Sequence, residues 1–262
     1  MAETNRTEAM AATAAAPAPA LSVVIPVHNE AGNILVLLGE VRTALDGRLD
    51  YEVVVVDDCS TDETPRLLTN EAIQFFNLRV LRHARNSGQS TAVMTGVHAA
   101  RAAWVVTLDG DGQNDPADIP NLWSRLQQAG PTANLKLIAG QRVKRQDSRI
   151  KLLSSRIANR VRGALLGDQT PDTGCGIKLF NRATFLNLPH FDHMHRFLPA
   201  LVLRSGGNIV SVAVNHRPRL RGESHYGMGN RLWVGIVDML GVMWLQRRNR
   251  LPGKVDELTE RH

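Results

Sequence analysis

From position 21 the chain alternates short apolar runs with longer amphipathic stretches. The runs are "LSVVIPV" (21–27), "YEVVVVDD" (51–58), "LRVLRH" (78–83), "AWVVTLD" (103–109) and "LKLIAGQ" (135–141). Val, Ile and Leu dominate them, and polar or turn residues bound them. Runs without polar alternation belong to strands buried on both faces, which is the habit of parallel sheets. Between them the apolar spacing changes to three and four. In "AGNILVLLGEVRTAL" (31–45), Ile34, Leu37, Leu38, Val41 and Leu45 share one helical face. The segment "STDETPRLLTNEAI" (60–73) predicts a helix with Ser60 or Thr61 as N-cap and acids in its first turn. The alternation predicts an α/β domain with right-handed crossovers.

In open α/β sheets, ligands bind beyond the carboxyl ends of the strands. Four polar segments follow strands here: "HNE" (28–30), "DDCSTD" (57–62), "RNSGQS" (85–90) and "DGDGQND" (109–115). All four converge on one sheet edge, and helix capping alone does not account for so many acids there. Asp109, Asp111 and Asp115 lie within seven positions. Such crowding needs a compensating charge, and a divalent cation supplies it. No GxxxxGK[ST] occurs and no GxGxxG follows the first run, which argues against a P-loop ATPase and a dinucleotide-dependent dehydrogenase. An EF-hand register starting at Asp109 fails, with Asn114 at its glycine position and Pro120 at its glutamate position. What remains is a D-x-D at a strand end. It suits Mg²⁺ or Mn²⁺ shared with a ligand diphosphate.

Composition adds a partner class. The chain has 262 residues, 43% hydrophobic, and a net charge of +6, which favours an anionic partner. Aromatic content is 5% and few aromatics interleave with the arginines, so nucleic acid is excluded as a partner. Cys59 and Cys175 match no metal spacing and are expected as free thiols. Residues 1–20, rich in Ala, Pro and Thr with Glu3 and Glu8, are expected to be a disordered leader, not a signal peptide. No window reaches the length of a membrane span.

Two segments offer a membrane contact. Residues 142–162 carry eight Lys or Arg and one Asp around a stripe of Leu152, Leu153, Ile157 and Val161, continued by Leu165. They read either as a basic amphipathic helix on a bilayer or as a solvated basic face. "LWVGIVDMLGVMWL" (232–245) is too short to cross, and Arg247, Arg248 and Arg250 follow it. It reads as an interfacial helix, with Leu232, Trp233, Ile236, Leu240 and Trp244 as its apolar contacts, or as a core or dimer helix.

Taken together, "VVIPVHNEAGNI" (23–34), "VVVVDDCSTDET" (53–64), "RNSGQSTAVMTGV" (85–97), "LDGDGQNDP" (108–116), "DTGCGIKLFNR" (172–182) and "HRPRLRGESHYG" (216–227) resemble the inverting family-2 glycosyltransferases. More narrowly, the set resembles the dolichyl- and polyprenyl-phosphate sugar synthases, of which dolichol-phosphate mannose synthase is the type. The resemblance implies a GT-A fold, a Rossmann-like and mostly parallel sheet flanked by helices, over 21–227. An amphipathic helix over 228–250 and a polar tail over 251–262 complete the expected organisation.

The resemblance also implies roles. Pro26, His28 and Glu30 line the nucleotide end, Asp57 and Asp58 meet base and ribose, and Asn86, Gly88 and Gln89 lie beside the nucleotide. Asp109 faces the ribose and phosphate, and Asp109, Asp111 and Gln113 form the metal shell. Arg219, Arg221, Ser224 and His225 meet the phosphates, and Arg156 joins Arg219, Ser224 and His225 around the acceptor phosphate. The chain departs from the family with Cys59 where Gly is usual, and with Gln89 and His225 where Lys is usual.

The implied reaction is transfer of a sugar from a GDP- or UDP-linked donor to a polyprenyl phosphate, with inversion, by a protein peripheral on the cytoplasmic membrane face. A small membrane-spanning partner, as in relatives without spans, is compatible with it. An ionised phosphate needs no general base. Two alternatives stay open. One is a glycan-building transferase acting on a sugar hydroxyl, with Asp172 as base. The other is a sugar-nucleotide-binding subunit without turnover.

Overall fold

The computed structural model describes residues 17–130, 133–143, 162–168, 170–217 and 228–251. Five strands follow the apolar runs: β1 (Leu21–Val27), β2 (Tyr51–Asp57), β3 (Leu78–Arg82), β4 (Trp104–Thr107) and β5 (Leu135–Arg142). Two more were not among those runs: β6 (Lys178–Asn181) and β7 (Asn208–Val214). β6 is four residues long and lies inside a glycine-containing motif. β7 is a half-exposed edge, NIVSVAV, whose apolar run is broken only by Ser211.

The seven strands form one sheet in the order β3-β2-β1-β4-β6-β5-β7. β1 pairs in parallel with β2 and β4, β2 with β3, and β5 with β7. Only β6 runs the other way, between β4 and β5. The sheet is therefore mostly parallel, as the apolar runs predicted. Alternate residues of each central strand feed two different cores. Val23, Ile25, Val53 and Val55 join one, and Val24, Val54 and Val56 join the other.

Helices cover both faces. α1 (Ile34–Leu45) buries Ile34, Leu37, Leu38, Val41 and Leu45, the predicted face, together with Ala44. It shares the first core with Leu68 of α2 (Thr64–Gln74) and with Ile119 and Leu122 of α4 (Ile119–Ala129). The second core takes Ala92, Val93 and Val97 of α3 (Gln89–Ala99), Phe185 of α5 (Arg182–Leu186), and Leu198 and Leu201 of α6 (Leu198–Arg204). α3 lies so close to the sheet that a β-carbon at Gly96 would fall 2.4 Å from Val24 Cγ1.

The start of α2 differs from expectation. Neither Ser60 nor Thr61 caps it; the helix begins at Thr64 and has no acid in its first turn. Both residues are instead drawn into the neighbouring loop: Asn29 N donates to Ser60 Oγ at 2.9 Å, and Thr61 N donates to Asn29 Oδ1 at 2.8 Å. Contacts across two strand ends replace the local cap.

The C-terminal helix α7 (Met228–Arg247) packs Val242, fully buried, and Met239, Met243 and Leu245 on the second core. Arg204 Nε donates to Leu245 O, and Gln246 Nε2 to Leu166 O. Trp233, Val237, Leu240 and Trp244 are exposed. At about 100° per residue these four fall within a narrow arc opposite the core contacts. Leu165, the end of the other predicted stripe, is exposed while Leu166 is buried. Among the described residues no helix is long and apolar enough to cross a membrane.

Candidate nucleotide-sugar site

The carboxyl ends of β1, β2, β3 and β4 bring together the four polar segments. The first two are laced to each other. His28 Nδ1 donates to Asp58 O at 2.9 Å, Glu30 N to Thr64 Oγ1 at 2.9 Å, and Ala31 N to Asp62 Oδ2 at 3.1 Å. Glu30 Oε2 accepts from Asn33 Nδ2 at 2.7 Å. Asn29 and Cys59 both have left-handed backbones, with φ of 57° and 61°. Cys59 is the position where the resemblance led one to expect glycine, and its φ supplies the reason.

The paired acids brace this edge. Asp57 Oδ1 accepts from Ser60 N at 2.9 Å, and Asp57 Oδ2 lies 3.1 Å from Arg82 Nε. Asp58 gathers the third segment: its carboxylate accepts from His83 Nδ1 at 2.7 Å, Ser87 N at 2.9 Å and Gly88 N at 2.8 Å. Both side chains are buried. Asn86 is exposed in the same loop, and Pro26 and Gln89 line a small cavity with Asp109.

Asp109 sits at the centre. Gln89 Nε2 donates to its Oδ1 at 2.8 Å, and its backbone N donates to Asn114 Oδ1 at 3.0 Å. Gly176 lies directly against the carboxylate, with no side chain between them. Burial and then the charge of Asp111 raise the Asp109 carboxyl to about 6; Lys178, the Gln89 hydrogen bond and Arg142 act against the rise. The protein's own cations thus leave the acid pair under-compensated, the electrostatic condition that a bound cation relieves. Asp111 Oδ1 accepts from Gln113 N at 3.1 Å, which closes the loop and keeps Gln113 beside the two acids. Among the described residues no three His, Cys, Asp or Glu side chains converge as a closed metal cage. Two carboxylates and the Gln113 amide fit a hard cation that completes its shell with phosphate oxygens.

Three residues absent from the predicted set also stand here. Arg142, at the end of β5, makes a paired contact with Asp172, Nε to Oδ2 at 2.6 Å and Nη2 to Oδ1 at 2.7 Å. Lys178 is buried at the start of β6 and donates to Cys175 O. Burial pushes its ammonium below the usual lysine range, against the pull of Cys175, Asp109 and Asp172. His195 lines the same cavity as Asp109 and Lys178, and its Nδ1 is 2.7 Å from Ser90 Oγ. Burial, then Lys178, Arg196 and His193, lower it to about 3, so the ring is neutral at physiological pH. The motif "DTGCGIK" was the available signal for Asp172 and Lys178; nothing local marked His195.

Arg156, Arg219, Arg221, Ser224 and His225 lie outside the described residues. The last four follow Arg217 in sequence, and Arg217 is seated on the loop of Gln113 and Asn114. Arg217 N donates to Gln113 O at 3.1 Å, and its guanidinium donates to both Glu40 carboxylate oxygens at 2.7 and 2.8 Å and to Asn114 O at 3.1 Å. His216 bridges Asn114. The basic segment 144–161 is also outside the described residues.

A doubly covered, mostly parallel sheet with a D-x-D loop at its carboxyl edge defines a GT-A-type glycosyltransferase domain. The model for glycosyl transferase family 2 matches residues 22–188, and the chain belongs to that family. Dodecaprenyl-phosphate galacturonate synthase of Rhizobium johnstonii is 34% identical over 241 residues, 89% of this chain and 69% of that protein. Undecaprenyl-phosphate 4-deoxy-4-formamido-L-arabinose transferase of Edwardsiella ictaluri is 33% identical over 211 residues, 79% of this chain and 63% of that protein. The chain thus spans about two thirds of the length of these relatives. In fold it is similar to glucosyl-3-phosphoglycerate synthase of Mycobacterium tuberculosis, solved with Mn²⁺, uridine diphosphate and phosphoglyceric acid. That likeness has a TM-score of 0.65 at 22% identity, over 90% of this chain and 81% of that one.

Proposed function

We propose that this protein transfers a sugar, with inversion, from a nucleoside-diphosphate sugar to a polyprenyl phosphate. The relatives named above act on dodecaprenyl and undecaprenyl phosphate, which supports the acceptor class. One observation carries the choice of acceptor. Asp172, the carboxylate that a sugar-hydroxyl acceptor would require as base, is buried and held at both oxygens by Arg142. A carboxylate so engaged is a poor proton acceptor. A phosphate nucleophile is already ionised and needs none.

In this reading the residues position and exclude rather than exchange protons. Asp109, Asp111 and Gln113 hold Mg²⁺ or Mn²⁺, which when bound supplies positive charge to the departing diphosphate. Gln89 fixes the rotation of Asp109. Pro26, His28 and Glu30 border the nucleotide, while Asp57 and Asp58 act on it through the loops they brace. Arg219, Arg221, Ser224 and His225, carried from the Arg217 anchor, meet the phosphates, with Arg156 on the acceptor side. The exposed row Trp233, Val237, Leu240 and Trp244, followed by Arg247 and Arg248, lays α7 on the cytoplasmic face of the membrane where the lipid acceptor resides.

The test is an acceptor competition. Purified protein, Mn²⁺ and a panel of GDP- and UDP-sugars are offered a short-chain polyprenyl phosphate and neutral sugars together. Labelled sugar is expected in the lipid phosphate. Label in the neutral sugars overturns the acceptor class, and donor binding without diphosphate release overturns turnover itself.

A further inference from the structure

Gln89 is the residue through which α3 touches Asp109, and it stands where relatives are expected to carry a lysine. A neutral amide cannot find the carboxylate by long-range charge attraction, so its aim depends on how firmly its backbone is held. The helix start gives little help. Gly88 precedes it at φ 85°, and no side chain caps the first turn. Two histidines from opposite sides take over that task.

On one side is His83, just past β3. Its Nδ1 is 2.7 Å from Asp58 Oδ1, and its Nε2 is 2.9 Å from Thr95 Oγ1 of α3 itself. The same Asp58 carboxylate receives Ser87 N and Gly88 N. His83 thus ties the body of α3 to the acid that holds its entry loop. On the other side is His195, in the turn before α6, whose Nδ1 is 2.7 Å from the buried Ser90 Oγ. Ser90 is the next residue after Gln89.

We propose that His83 and His195 are positioning residues that hold α3, one through Thr95 and the Asp58-bound entry loop and the other through Ser90 in the first turn, and so set the Gln89 amide on Asp109. The proposal rests on Asp109 being part of the metal and donor site. His83 acts from behind the loop, and His195, which also lines the Asp109 cavity, acts through Ser90.

A double-mutant cycle tests it. His195→Ala and Gln89→Ala are made singly and together, and Mn²⁺ affinity is measured by the electron paramagnetic resonance of the free ion. Partners behind a metal ligand typically govern about 10- to 100-fold in affinity. Each single variant is expected to weaken Mn²⁺ binding by about tenfold, and the double variant no further, because both act through one hydrogen bond. His195→Asn, whose amide can replace Nδ1, is expected to recover most of the loss. It also serves as the readable variant if His195→Ala does not fold. His83→Ala in the Gln89→Ala background should likewise add nothing. Multiplying losses in the double variants, or no rescue by asparagine, overturns the clamp. The same cycle is read on donor KM and kcat. Full wild-type transfer in chelator, with no divalent cation, would refute the metal reading, while the KM cycle would still decide the clamp.

Discussion

A β-carbon placed on Gly176 would lie 2.1 Å from Asp109 Oδ2 and 2.5 Å from Asn114 Oδ1. Neither neighbour is the loose end of a flexible chain; both are held by hydrogen bonds. Gly176→Ala should therefore push Asp109 off its position. We expect transfer to fall by at least about 100-fold, with a stability cost of about 1–3 kcal/mol. Steady-state rates alongside a denaturation midpoint separate the two effects. A variant with wild-type turnover contradicts the role given to Asp109.

The Asp109 carboxyl titrates in the folded protein at about 6, above its ordinary 3.8. A raised acid favours the protonated form on folding. Its contribution is fully present below about pH 4 and is lost as pH rises through 6. In chelator, wild-type protein should lose on the order of 2 kcal/mol of stability across that window. Asp109→Asn should not share the loss. Mn²⁺ added at pH 7 should stabilise the wild type by mass action. Melting curves at pH 4 and 7, with and without metal, decide it.

Asp111 is partly exposed on the loop, so replacing it removes ligand charge without opening the core. Asp111→Asn should keep the wild-type melting temperature in chelator and abolish transfer. Full turnover at saturating Mn²⁺ would remove Asp111 from the metal shell.

Cys59 holds a backbone φ of 61°, in the left-handed region where a β-carbon is strained. Its thiol makes one long contact, 3.7 Å to Ala84 O. Cys59→Gly should raise stability by about 1 kcal/mol, the relieved strain exceeding the added chain entropy. The urea midpoint reads it directly, and a lowered midpoint would show that the thiol contributes more than the strain costs.

The exposed row on α7 gives a prediction for lipid binding. Burying Trp233, Leu240 and Trp244 in a bilayer adds a term that salt does not weaken, and the following arginines add one that salt does. Anionic vesicles should float the wild type, with partial release at high salt. The triple change W233S, L240S and W244S should leave the protein unfloated and equally stable, since all three side chains face outward. Equal flotation of the variant places attachment elsewhere, and no flotation of purified wild type points to a spanning partner.

The five apolar runs exposed most of the sheet to a reader of the sequence; β1 and β2 are buried along their whole length, while β3, a half-buried edge interrupted by Arg79, was legible from its Leu and Val residues alone. β6 and β7 escaped that reading for different reasons. One is four residues long, too short to form a run; the other, NIVSVAV, is a half-exposed edge whose apolar run was as legible as the rest and was passed over. The acids at the strand ends were legible because their clustering is locally costly. Their division of labour was not. Asp58 spends its carboxylate on His83 and the 87–88 amides, partners about 25 to 30 positions away. His195 meets Ser90 across 105 positions. Only the folded chain brings such pairs together.

β6 runs against its neighbours, so its beginning, not its end, faces the ligand edge. The stretch that leads into it carries Asp172, locked to Arg142, and four residues later Gly176, pressed against Asp109. Two chemically distinct halves of the edge therefore share one short, taut length of backbone. A substitution that loosens the Arg142–Asp172 pair will be felt at Asp109. Changes selected at the Arg142–Asp172 pair should accordingly carry altered donor binding with them, with compensating changes gathering between residues 172 and 178.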